Sequence, residues 1–76
     1  MPKLPAVSGA ELIKALQRVG FRIVRQKGSH VSMQKTASDK NYNTVVPLHR
    51  ELAKGTLIDI LHQSGLSKDE LIELLK

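Results

Sequence analysis

Between Gly9 and Val19 the apolar residues fall at Leu12, Leu16 and Val19, with Ile13 widening the stripe, and Lys14, Gln17 and Arg18 lie between them. Recurrence every three to four positions predicts an amphipathic helix. Ser8 and Glu11 stand at capping-box spacing before it, and Gly20 supplies a left-handed stop after it. The period then shortens. "FRIVRQ" and "HVSMQK" are β-type runs on either side of "KGS", a Gly-centred hairpin signal. Val31 and Met33 share one parity, while His30, Ser32 and Gln34 share the other. If the first pair faces a core, His30 projects from the opposite side of the sheet. "TASDKNY" is expected to be a polar loop, and "NTVVP" a third strand ended by Pro47.

Helical spacing returns twice. "GTLIDILHQSG" is expected to begin near Gly55 and Thr56, with Thr56 and Asp59 at the spacing of a weaker, Asp-type capping box. Leu57, Ile58, Ile60 and Leu61 form its apolar side, and Gly65 stops it. "SKDELIELLK" repeats the pattern, with Ser67 as cap, Glu70 three residues on, and a stripe of Leu71, Ile72, Leu74 and Leu75. Residues 1–7, "MPKLPAV", hold two prolines and no period, so they read as an extended lead-in. The order helix, three strands, helix, short helix predicts an α+β fold, an antiparallel three-stranded sheet with helices on one face.

Seventy-six residues make one domain. The absence of cysteine removes disulfides and thiolate metal sites, and is compatible with a reducing cytoplasm. No run is long and apolar enough to span a bilayer, and the N-terminus lacks the hydrophobic region of a signal peptide. A cytoplasmic location is therefore expected. The net charge of +5 is unevenly placed. Residues 1–54 carry ten Lys/Arg and three Asp/Glu, whereas residues 55–76 carry two Lys and four Asp/Glu. A basic body with a mildly acidic tail favours a polyanionic partner, the plainer alternative being a generically soluble basic protein.

The three histidines, His30, His49 and His62, lie on an expected strand, loop and helix, without metal-ligand spacing. A metal is not expected. There is no Gly-x-Ser-x-Gly elbow and no P-loop. One chemistry suits a single histidine on a basic surface, namely RNA cleavage. The substrate brings its own nucleophile, the 2′-hydroxyl, and an imidazole moves protons near neutrality. Arg25 and Lys27 lie near His30 in sequence and can stabilise phosphate charge. Backbone N–H groups at Gly55, at a helix start beside Lys54 and Thr56, offer a second phosphate site. His49, beside Pro47 and Arg50, either approaches His30 or pins its loop, and His62 reads as a surface residue. Competing readings are a non-catalytic RNA binder, a helix-turn-helix DNA binder built from the last two helices, and an inert domain. Against the helix-turn-helix, its recognition helix would carry Asp69, Glu70 and Glu73 toward phosphates.

A capped helix ending in Gly-Phe, basic residues before "KGSH", a "VP" with a histidine two residues on, and "GTL..IL..SGLS" follow one another in order from about Gly9 to Ser67. This set resembles the HicA (YcfA-like) toxins of toxin–antitoxin pairs. The resemblance implies a fold like double-stranded-RNA-binding domains, α-β-β-β-α, over a core of about residues 8–66, with 67–76 as an extra helix. It implies a metal-independent mRNA interferase needing no cofactor, monomeric alone and joined in a hetero-oligomer by a HicB-like antitoxin. The family's catalytic histidine falls on His30, and its Gly and Ser fall on Gly28, a structural turn, and Ser29, a candidate RNA contact. Many members carry an aromatic or further basic residues after "GSH", where this chain has Val31, Ser32 and Met33.

Overall fold

Three strands, β1 (Arg22–Lys27), β2 (His30–Ala37) and β3 (Lys40–Pro47), form an antiparallel sheet with β2 in the centre. A computed structural model describes residues 3–76, so residues 1 and 2 of the expected lead-in lie outside the described residues. The helices are α1 (Gly9–Arg18), α2 (Lys54–Ser64) and α3 (Lys68–Leu74).

The two capping boxes form as the sequence predicts. Ser8 Oγ accepts from the Glu11 N–H at 3.0 Å and Glu11 Oε1 accepts from the Ser8 N–H at 3.0 Å. The same exchange joins Ser67 and Glu70 at 2.9 and 3.1 Å. Donation from the cap backbone, and then from the cap hydroxyl, holds the Glu11 and Glu70 carboxyls below the usual carboxylate range.

The start of α2 differs from expectation. Its N-cap is Ala53, which makes no side-chain cap bond, and Thr56 falls at the third helical position rather than at the cap. Leu52 is the cause. It is buried, and its N–H donates to the Val7 carbonyl at 2.8 Å, so the first turn begins directly behind that anchor. The expected box of Thr56 and Asp59 therefore has no place to form.

The expected loop "TASDKNY" is mostly strand. β2 runs to Ala37 and β3 resumes at Lys40, leaving only Ser38 and Asp39 in the turn. Ser38 takes a positive φ of 56°, matching Gly28 at 59° in the first hairpin. A positive φ at the first of two loop residues suits the right-handed twist of a hairpin. The polar residues here are polar because one side of the sheet is open. Thr36 Oγ1 donates to Asn41 Oδ1 across the strands at 2.9 Å.

The core lies on the other side. Val31, Met33 and Val46 from the sheet meet Leu12 and Leu16 of α1 and Leu57, Ile60 and Leu61 of α2. Each such buried aliphatic side chain contributes about 1.5–3 kcal/mol. α3 joins this core through Leu71, which is wholly buried, and Arg18 Nη1 donates to the Leu74 carbonyl at 2.9 Å. Both aromatics also sit on the helical side. Phe21 and Tyr42 meet edge to face at 6.5 Å, with the Lys35 ammonium 5.8 and 6.0 Å from their centroids. The helices cover β2 and β3 but leave β1 bare, and none of its six residues is buried.

Candidate nucleic-acid and catalytic site

The side of the sheet away from the helices is a field of three rungs. Across β1, β2 and β3 the register gives Lys27, His30 and Pro47 in the first rung. Arg25, Ser32 and Val45 make the second, and Arg22, Gln34 and Asn43 the third. Val31 and Met33 are buried, so alternation carries His30, Ser32 and Gln34 to the open side. His30 is exposed there, with a lysine across the strand on one side and a proline on the other.

The basic residues of β1 do not share one parity in the sequence, yet all three reach the open side. A β-bulge makes this possible. Pairing shifts between Ile23 and Arg25, so that Val24 is the extra residue. With uninterrupted pairing back from Lys27, Arg22 would stand opposite Lys35 on the helical side. The bulge sets it opposite Gln34 instead. None of the strand residues on the open side is acidic.

Backbone contacts fix the end of the sheet that carries His30. The Leu48 N–H donates to the Ser29 carbonyl at 2.7 Å, clipping the Gly28–Ser29 turn to the segment after β3. The Gly9 N–H donates to the His49 carbonyl at 2.9 Å, which ties the same segment to the start of α1. His49 is exposed and lies two residues beyond Pro47, the cross-strand neighbour of His30. Its backbone thus pins the loop, and its exposed side chain makes no hydrogen bond among the described residues.

α2 points its N-terminus toward this end. At its far end Gly65 lies against Tyr42, and Thr44 Oγ1 donates to Gln63 Oε1 at 2.7 Å. The helix therefore runs from the Pro47 end of β3 toward the Lys40 end. Its first turn has no side-chain cap and no acidic residue, and Lys54 and Gly55 are exposed. It belongs to the helical side, however. Thr56 borders a groove of about 600 Å³ between α2 and the bare strand, lined also by Val24, Met33, Asp59 and Ile60.

The sequence-predicted residues thus fall into two groups. Arg25 and Lys27 share the open side with His30, and Ser29 occupies the adjoining turn. Lys54, Gly55 and Thr56 lie at the same end but around the edge of the sheet. Gly28 holds the turn with its positive φ. The sequence pattern places Gln34 on the side of His30 without marking it as a contact, and it marks neither Arg22 nor Asn43. Among the described residues no three His, Asp or Glu side chains converge. α3 turns Leu71 inward and leaves Asp69, Glu70 and Glu73 exposed, an acidic outer side unsuited to a DNA groove. No helix of the described residues is long and apolar enough to cross a membrane.

The structure is thus a small α+β domain with one helix-covered and one open, basic sheet side, and a histidine at the head of the central strand. Residues 9–66, about three-quarters of the chain, match the family described as HicA toxin of bacterial toxin–antitoxin systems. The chain belongs to that family, and it is the toxin component of such a pair. No curated protein matched it.

Proposed function

We propose that this toxin is an endoribonuclease that cuts mRNA without a metal, using His30 as its proton-transfer group. The observation that supports it best is the first rung. An exposed imidazole stands beside Lys27, one rung from Arg25, on a side of the sheet whose strand residues include no carboxylate. In the reaction the 2′-oxygen bonds to the adjacent phosphorus and the bond from phosphorus to the 5′-oxygen breaks. The products are a 2′,3′-cyclic phosphate and a 5′-hydroxyl. One proton leaves the 2′-oxygen and one arrives at the 5′-oxygen. His30 carries one of these transfers, and Lys27 and Arg25 stabilise the charge that builds on the phosphoryl oxygens. The Ser29 turn and the side chain of His49 border the same phosphate. The first turn of α2 with Lys54, Gly55 and Thr56 holds RNA that wraps past the edge of the sheet.

Cleavage of mRNA in the cytoplasm would stop translation until the toxin is covered. A HicB-like antitoxin with an acidic surface fits the basic open side, giving fast, salt-sensitive association and a hetero-oligomer from a toxin that is monomeric alone.

The test is His30→Ala against wild type on a long unstructured RNA with EDTA present. Wild type is expected to leave cyclic phosphate ends, and the variant to bind RNA without cutting it. Equal binding with no cutting by either protein would reduce the chain to an RNA-binding module. Equal cutting by both would remove His30 from the chemistry.

A further inference from the structure

The two rungs beyond His30 take no part in proton transfer, yet they continue the same surface in a regular way. Each offers a cation on β1 and an uncharged side chain on β2. The second rung has Arg25 and Ser32, the third Arg22 and Gln34. In the third rung β3 adds a second amide, and Gln34 Nε2 donates to Asn43 Oδ1 at 3.1 Å. We propose that single-stranded RNA lies along β2 with its backbone on the arginine row, and that the Gln34–Asn43 amide pair reads the edge of one base. Gln34 and Asn43 are thus specificity-determining residues. The proposal rests on the reading of this side as the RNA-cleaving surface.

Three observations carry it. The first is the bulge at Val24, which brings Arg22 into line with Arg25 and Lys27. Without it the cationic row would stop after two rungs. The second is the state of the amide pair. Two primary amides joined by one hydrogen bond keep donors and acceptor lone pairs unspent. Gln34 is half-buried and hydrogen-bonded to its partner, so the two amides are held side by side on the open side of the sheet. Adjacent donor and acceptor are what the polar edge of a nucleobase requires. The third is the placement of the aromatics. Phe21 and Tyr42, the only two in the chain, are engaged on the helical side. Apart from the His30 imidazole, which the reaction engages, the open side offers no aromatic platform for stacking, the sequence-tolerant way of holding single strands. Hydrogen bonding to base edges is what that side presents.

The spacing sets a scale. His30 and Gln34 are four strand positions apart, roughly 13 Å at the rise of a β-strand. With an extended RNA backbone advancing about one phosphate per rung, the base held by the amides is about two nucleotides from the scissile bond.

Cleavage sites mapped by end-sequencing on a long unstructured RNA provide the test, comparing wild type with Gln34→Met and with Asn43→Ala. Gln34→Met keeps length and strand packing while deleting both polar atoms. Wild type is expected to prefer one base about two nucleotides from its cuts. Each amide variant is expected to lose about tenfold of that preference, with new cuts where wild type makes none. Arg22→Ala is expected instead to weaken binding at all sites alike and to reduce its salt dependence by about one phosphate contact. A site spectrum unchanged in both amide variants would overturn the proposal. A second arm uses uncleavable 2′-O-methyl oligonucleotides that differ in one base, followed by fluorescence anisotropy. It reports the same preference whether or not the protein cuts RNA. Loss of base discrimination in the variants supports the amide pair even if the nuclease reading fails. Equal affinity of wild type for all the oligonucleotides would overturn it even if cleavage is confirmed.

Discussion

Gly9 lies so close to Pro47 that no side chain fits between them, and Pro47 is the cross-strand neighbour of His30. A Cβ at position 9 would strike the Pro47 carbonyl oxygen and stand 3.0 Å from the Leu48 Cα. Both are backbone atoms and cannot swing aside. The start of α1 is therefore a fixed stop behind the first rung.

Gly9→Ala is expected to destabilise the fold by about 1–3 kcal/mol, the usual cost of overpacking. At roughly 4–8 °C per kcal/mol for a domain of this size, a thermal melt resolves it. Because the displaced segment is the one paired with His30, RNA cleavage measured well below the melting transition should fall as well. A Gly9→Ala protein with an unchanged melt would show that the two backbones have room to part.

The two hairpin turns give a matched pair of substitutions. Gly28 sits at φ 59° in open space, and a methyl group there would meet nothing within 4 Å. Gly28→Ala therefore tests backbone conformation alone and should cost about 1 kcal/mol. Ser38 at φ 56° already carries that strain. Ser38→Gly should relieve it, for a net gain of about 0.5 kcal/mol after the greater freedom of glycine in the unfolded chain. Urea midpoints moving in opposite directions are the expected result, and a lower midpoint for Ser38→Gly would contradict it.

Acid should loosen both capped helices. The Glu11 and Glu70 carboxyls are held below the usual carboxylate range by donation from Ser8 and Ser67. At neutral pH they are ionised in both the folded and unfolded chain, and their contribution is complete. As pH falls through the ordinary carboxylate range the unfolded chain takes up protons first, so stability declines until the folded carboxyls are protonated too. Urea midpoints measured down that range should drop less steeply in Glu11→Gln/Glu70→Gln than in wild type. Parallel curves would assign the acid sensitivity to other groups.

Leu71→Ala should cost about 2–5 kcal/mol, the range for emptying a closed aliphatic site. Leu71 is wholly buried although it lies beyond the residues matched by the family. A melt displaced by only a degree or two would show that α3 can lift away without disturbing the rest.

The parts of the fold that were legible in the sequence are those specified by neighbours along the chain. Ser8 with Glu11 and Ser67 with Glu70 marked helix starts to the residue, and the parity of Val31 and Met33 placed His30 on the uncovered side. The parts that were not legible depend on partners far away in sequence. Thr36 and Asn41 look like loop residues because strand composition normally reflects burial, and here one side of the hairpin has no cover. The start of α2 was displaced by Leu52, whose bond to Val7 no local pattern announces. Arg22 was missed for a related reason, since a count of odd and even positions assumes an uninterrupted ladder.

That interruption also governs how the chain compares with its relatives. Val24 works as a one-residue frame shift: positions before it and after it belong to different reading phases of the same strand. An alignment that closes the gap at Val24 would move Arg22 in among the helix-facing positions while leaving composition and net charge almost untouched. Two toxins of equal charge can thus differ in whether their cationic row has two members or three, and only the phase of the strand tells them apart.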